Sequence, residues 1–231
     1  MSYDIQIYNK LLELPLFQGM SRNDLSQIVA HTKFGFHKYA GGKYIVREGD
    51  ECNQLFFLIN GKIKVVSIAD DHSYTFIEEM TSPHILQPEC IFGLSQRYTR
   101  NFIAQTNCNF ITIDKTEAMK LSDNFIIFRL NMLNIISTQL QKLGRQPWKR
   151  QPENLQQRII RFIECHCLRP AGEKHIVIKM QRLADELNDS RLDISRALNS
   201  LQTEGLIKLR RGGIDVPSLE KCLLRQVTRN G

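Results

Sequence analysis

The chain has 231 residues, 42% of them hydrophobic, and a net charge of +7 from 31 Lys and Arg against 24 Asp and Glu. That is enough apolar content for two modest globular domains. The charge excess is local: residues 147–231 hold 16 basic against 10 acidic side chains, a distribution that points to a polyanion partner. Lys221, Arg225 and Arg229, in a basic tail, supply part of it. No cationic segment followed by an apolar core suggests a signal peptide, and no apolar run approaches membrane-spanning length. A cytoplasmic protein with no membrane partner is therefore expected, its six scattered cysteines (52, 90, 108, 165, 167, 222) remaining free thiols.

In chain order, an amphipathic helix carrying Leu11, Leu12, Leu14, Leu16 and Phe17 comes first. Ser21 and Asp24 then have the spacing of a capping box over a helix at 22–31. From 34 to 114 the period changes. Short apolar runs at 34–39, 44–46, 55–59, 62–68, 74–79, 102–106 and 109–113 are separated by Gly41-Gly42, Gly49-Asp50, Asn60-Gly61 and Asp70-Asp71, the pattern of a β sandwich or barrel. A helix is expected from Thr116 to about Leu143. Phe125, Phe128, Met132, Ile136, Leu140 and Leu143 recur on it at steps of three and four. Its length and apolar width suit one face on the β domain and another against a second copy of the chain, with those six residues at the interface. Gly144-Arg145-Gln146-Pro147 should break it and form a hinge.

The stretch 153–168 reads as helical and contains Cys165-His166-Cys167, but residues two apart on a helix face different ways, so no metal site is expected there. Residues 183–201 read as two short helices around a tight polar turn. Leu183, Ala184 and Leu187 stripe the first helix, and Ile194, Leu198 and Leu201 the second. Asn188 suits a left-handed turn, and Asp189 or Ser190 suits the following cap. Arg191, Ser195 and Arg196 fall off the apolar stripe, where guanidiniums can read guanine in the major groove. Gly205 then ends the helix, and two short alternating runs flank Arg211-Gly212-Gly213 as a hairpin made basic by Lys208, Arg210 and Arg211. Helix, turn, helix, hairpin is the order of a winged helix whose wing lies against phosphates.

With these segments identified, the whole chain resembles the cyclic-AMP receptor protein / fumarate-nitrate reductase regulator (Crp/Fnr) family of bacterial transcription factors, in the same domain order. Gly42-x-Tyr44-Ile45-x-Arg47-Glu48-Gly49-Asp50 and Phe56 to Val65 look like its β-domain turns and strands. Leu183-Ala184, Ser190-Arg191, Ser195-Arg196, Leu198/Leu201 and Gly205-Leu206-Ile207 fall at its DNA-binding spacing. The resemblance implies an α+β protein: an N-terminal β-roll (a cyclic-nucleotide-binding-like jelly roll) at 1–115, a dimerisation helix and hinge at 116–146, and a winged helix-turn-helix at 147–231. It implies double-stranded DNA, a second copy of the chain and RNA polymerase as partners. Ser190, Arg191, Asp193, Ser195 and Arg196 would face DNA, with Arg191 and Arg196 on base edges and the two serines nearer phosphates. Leu192 departs from the family, standing where many members carry a carboxylate that reads cytosine. Lys179 stands where a threonine often caps the first helix, and Asn188 replaces a turn glycine.

The nucleotide cassette departs further. Members that bind cyclic nucleotides use a Gly-Glu pair and an Arg-Ser pair on the ribose and phosphate. Here Gly93 matches, Leu94 replaces the carboxylate, and no Arg-Ser pair appears, leaving Gly93, Leu94, Arg97, Arg100 and Asn101 as the candidate effector pocket. A buried ribose hydroxyl without its acceptor costs about 1–3 kcal/mol, which argues against cyclic AMP. An iron–sulfur cluster would need cysteines near the N-terminus, and the first is Cys52. Haem stays open through His31, His37, His72 and His84, and the effector is unassigned. The reading is a homodimeric regulator, not an enzyme, on a pseudo-palindromic operator. Its alternative is a ligand- or redox-sensing module, with Cys90 as a reactive thiol, whose winged helix contacts protein.

Overall fold

A computed structural model describes residues 2–228, and Arg229 of the basic tail lies outside them. The chain folds as two compact units that are discontinuous in sequence. One holds the residues up to Ile63 together with Met80–Arg145, and the other holds Lys64–Glu79 together with the residues from Gln146 on. Residues 64–79 are thus grouped with the C-terminal segment rather than with their neighbours in sequence.

The first unit opens with α1 (Ser2–Glu13) and α2 (Arg22–His31). Ser21 caps α2 as the spacing predicts: its Oγ accepts from Asp24 N (3.1 Å) while Ser21 N donates to Asp24 Oδ2 (3.3 Å). The strands follow as β1 (Phe34–Tyr39), β2 (Tyr44–Val46), β3 (Gln54–Asn60), then β6 (His84–Ile85), β7 (Asn101–Ala104) and β8 (Cys108–Asp114). β1, β8, β3 and β6 form one antiparallel sheet, with Phe36 opposite Ile111 and Phe57 opposite both Ile111 and Ile85. β2 pairs with β7. Gly61 turns β3 into the next strand at φ +105°, where a Cβ would lie 2.6 Å from Asn107 O, so no other residue fits.

The single helix expected from 116 to 143 is two helices, α3 (Lys115–Asn124) and α4 (Ile126–Arg145). Phe125 between them is extended (φ −124°, ψ 101°). Ser122-Asp123-Asn124, three poor helix formers that compete for backbone hydrogen bonds, precede the break. The face of α4 is fixed by its packing. Phe128 meets Phe17 edge-on (5.4 Å between ring centroids), Phe17 meets Phe57 (5.8 Å), and Asn131 Nδ2 donates to Leu16 O and Gln18 O. Phe128 and Met132 are consequently buried within one chain.

The second unit contains α5 (Leu155–His166), β9 (Lys174–Ile178), α6 (Met180–Leu187), α7 (Arg191–Thr203), β10 (Lys208–Arg210), β11 (Gly213–Val216) and α8 (Leu219–Thr228). It also takes in β5 (Tyr74–Thr81) as far as Glu79, and β4 (Lys62–Ile68) from Lys64 on. Within it the strands run β10-β11-β9-β5-β4. The wing sheet is therefore extended by a hairpin from the earlier part of the chain, with Phe76 opposite Ile176 and Glu78 opposite Lys174. Phe76 joins Ile159, Ile163, Ile176, Leu183, Ile194, Leu198 and Ile214 in one core. β9 and α8 are elements the sequence reading missed.

Candidate nucleic-acid interface

α7 is built so that its polar face is free. Ile194, Ala197, Leu198 and Leu201 are buried, while Arg191, Leu192, Arg196 and Asn199 are exposed. Asn188 ends α6 in the left-handed region (φ 48°), as its side chain allows. Ser190 is the N-cap of α7: its Oγ accepts from Asp193 N (3.0 Å) and donates to Asp193 Oδ2 (2.6 Å). Ser190 and Asp193 thus complete one another at the helix start, and Asp193 also pairs with Arg196 (3.2 Å). Ser195 is half-buried, and Arg191 makes no ion pair among the described residues.

Arg158 belongs to no motif, yet it positions this turn. From α5, its Nη1 reaches Asp189 Oδ2 (3.0 Å) and its Nη2 donates to Leu187 O. One planar guanidinium therefore joins the end of α6 to the start of α7, a geometry lysine does not reproduce. Arg182 on α6 is held between Asp71, at 3.0 Å on the β4–β5 turn, and Glu186.

On the wing, Gly212 turns the hairpin at φ 75°. Lys208 and Arg211 are exposed and make no ion pair among the described residues. Arg210 differs: its guanidinium pairs across the hairpin with Asp215, which also contacts His175 Nδ1 (2.8 Å). Two of the three expected phosphate cations are therefore free, and the third is held along the sheet.

Of the candidate effector residues, Leu94 and Arg97 line one open surface cavity with Glu51, Cys52 and Gln96, and Gly93, Arg100 and Asn101 are not in its lining. Leu94 is fully exposed, and Arg97 donates to Gly49 O (2.7 Å) and lies 3.9 Å from Glu51. Asn101 Oδ1 accepts from Glu48 N (3.1 Å), and Gly93 packs against Glu89 O. Arg100 is half-buried nearby. Behind them Tyr98, buried beside Phe102, donates its hydroxyl to Gln54 O (3.1 Å).

At the position suggested for a reactive thiol, burial pushes Cys90 up to about 11 and raises Cys52 too. A sensing cysteine needs the opposite shift. His31, His37, His72 and His84 lie on α2, β1, the β4–β5 turn and β6. Among the described residues no three His, Cys, Asp or Glu side chains group as metal ligands. In the Cys165-His166-Cys167 run, burial raises Cys167 to about 12, and the His166 ring stacks on Phe76 (5.0 Å, 13°). Phe162 O can only accept, so His166 Nδ1 donates to it (2.7 Å) and Nε2 accepts from Tyr74 Oη (3.1 Å). His166 is a half-buried residue packed on the core rings of Phe76 and Phe162. No helix among the described residues is long and apolar enough to cross a membrane.

A cyclic nucleotide-binding domain model matches residues 36–125, and a Crp-like helix-turn-helix domain model matches residues 157–222. The potassium channel SKOR of Arabidopsis thaliana is 29% identical over 129 residues, 53% of this chain but only 14% of the channel's length. The cAMP-activated global transcriptional regulator Vfr of Pseudomonas aeruginosa is 24% identical over 196 residues, 80% of this chain and 90% of that protein. Among solved structures, the catabolite activator protein of Thermus thermophilus covers 94% of this chain and 99% of its own at 17% identity and a TM-score of 0.50. The sensor domain of the regulator DNR from Pseudomonas aeruginosa covers 67% of this chain and 99% of its own at 18% identity and a TM-score of 0.53. These two establish a shared fold. With residues 36–125 matching the cyclic nucleotide-binding domain model and residues 157–222 the Crp-like helix-turn-helix model, the chain belongs to the Crp/Fnr family of DNA-binding transcription regulators, a family of regulators rather than enzymes.

Proposed function

We propose that the protein acts as a homodimer on a pseudo-palindromic operator, with α7 in the major groove of each half-site and Lys208 and Arg211 of the wing on phosphates. The observation that carries this is the free polar face of α7, where Arg191 and Arg196 stand exposed while the opposite face is locked into the core. The two-fold related helices would enter half-sites about 34 Å apart, one turn of DNA.

The dimer seam lies on a different stripe of α4 from the one periodicity suggested. Phe128 and Met132 are buried within the chain, whereas Ile126, Leu130, Leu133 and Leu140 are each at least half exposed, at steps of four, three and seven. With Ser137 filling the gap, that is a heptad seam, which a second α4 covers in coiled-coil fashion. Leu140 and Leu143 of the expected interface stay exposed and available to it, and Phe125 and Ile136 are half-buried at its margin. The sensor is proposed to work without cyclic AMP, because Leu94 points to solvent and Tyr98 occupies the interior.

Selection of sites from random double-stranded DNA with the full chain and no added effector tests the reading. Recovery of an inverted repeat is the expected result. Failure to enrich any sequence, with or without cyclic AMP, refutes it.

A further inference from the structure

At about 100° per residue, the buried stripe of α7 has its diametric opposite at Leu192, Arg196 and Asn199. Leu192 is 61% exposed there, in the first turn of the helix and one turn before Arg196. It is the one large apolar side chain of α7 outside the core: Ile194, Leu198 and Leu201 are all buried. A single exposed leucine is ordinary on a protein surface. Its place at the centre of the reading face is what matters, and this argument rests on the DNA-binding mode proposed above.

We infer that Leu192 is a specificity-determining residue that recognises the 5-methyl group of a thymine in each half-site, beside the base read by Arg196. The chemistry leaves little choice. A leucine side chain can neither donate to guanine O6/N7 nor accept from cytosine N4, so the base-edge group it complements in the major groove is the thymine methyl. Discrimination has two parts. The methyl gains an apolar contact, and a C·G pair would lose water from its N4 amino group with no acceptor in return. The C5 methyl of 5-methylcytosine offers the same contact on a C·G pair, and the test separates the two sources.

Each thymine of the selected half-site is replaced in turn by deoxyuridine, which removes only the methyl, and affinity is measured by fluorescence anisotropy at fixed salt. One symmetric position should lose about fourfold per half-site, the worth of one buried methyl group. At that position cytosine should bind more weakly than deoxyuridine, and 5-methylcytosine should recover part of the difference. A 5-methylcytosine site that outbinds thymine would overturn the thymine assignment. Leu192→Ala should bind thymine and deoxyuridine operators equally, while Leu192→Met keeps the discrimination. The inference fails if no thymine position responds to deoxyuridine, or if Leu192→Ala still discriminates. In both cases operator binding itself persists, so the dimeric-regulator reading survives. Absence of any DNA binding overturns both.

Discussion

Glu78→Ala is the most demanding test of the packing described for the second unit. The Glu78 and Lys174 side chains, 1% and 3% exposed, face each other across β5 and β9 at 2.6 Å. The Glu78 carboxylate also accepts from Leu168 N (2.7 Å) and Arg169 N (3.4 Å). Truncation leaves a buried ammonium and two amide donors without their acceptor. Breaking one side of a buried pair costs about 3–5 kcal/mol, a large share of the roughly 5–15 kcal/mol that holds a domain folded. Urea unfolding of the full chain followed by far-ultraviolet circular dichroism gives the total. Hydrogen exchange should place the loss in β9 and α5 rather than in β8 or α3. Glu78→Gln combined with Lys174→Met keeps an acceptor for Leu168 N and removes both charges, so it should recover part of the stability. A single-variant cost below about 1 kcal/mol, or a double variant no better than Glu78→Ala, would refute the reasoning.

Arg158→Ala should weaken operator binding roughly tenfold by freeing the α6–α7 turn, while costing only about 1 kcal/mol of stability because the pair with Asp189 is partly exposed. Unchanged binding measured by anisotropy would deny it a positioning role. Leu130→Glu with Leu133→Glu places like charges along the exposed stripe of α4 and should yield a monomer in sedimentation equilibrium. A dimer that persists would put the interface elsewhere. Cys90 and Cys222 are pushed up to about 11 and Cys167 to about 12 from an ordinary 9.0, so the folded chain keeps thiol protons that the unfolded chain releases above pH 9. Stability should therefore fall as pH rises from 9 to 11, by about 1.4 kcal/mol per pH unit for each thiol. A flat profile over that range would contradict the burial of these thiols.

Local chemistry was readable in the sequence wherever one segment determines its own shape. The Ser21–Asp24 capping box and the left-handed Asn188 each act within a few residues and appear as the residue types require, whereas Asn60-Gly61 does not close the hairpin that Asn-Gly favours: Gly61 turns the chain and β3 and β4 enter different sheets. What stayed hidden was set by distant partners. Helical periodicity on α4 marks apolar residues but cannot say which stripe meets Phe17 and which is left open. Arg158 carries no motif, since its role depends on two groups 29 and 31 residues away. In the wing, three basic side chains look alike until the cross-strand neighbour Asp215 separates Arg210 from Lys208 and Arg211. The β9 strand, Lys174 to Ile178, alternates too briefly to stand out, and its meaning lies in β5, almost a hundred residues earlier.

That long pairing bears on where the DNA-binding module begins. Gly144 to Pro147 reads as the boundary, yet a fragment starting at Gln146 would lack the strand that covers β9. It would lose the ladder from Tyr74–Ile178 to Glu78–Lys174, and Phe76 from between Phe162, His166 and Ile176. Removing one buried phenylalanine alone costs about 3–5 kcal/mol, and the exposed edge of β9 becomes a template for unwanted pairing. Residues 146–231 alone should therefore bind an apolar dye, aggregate at high concentration and bind the operator weakly. A synthetic peptide of residues 64–79 added in trans should restore protection to β9. If the isolated fragment instead unfolds as cooperatively as the second unit does in the full chain, the hairpin is a passenger on the wing sheet. The module would then be the contiguous one that the sequence suggests.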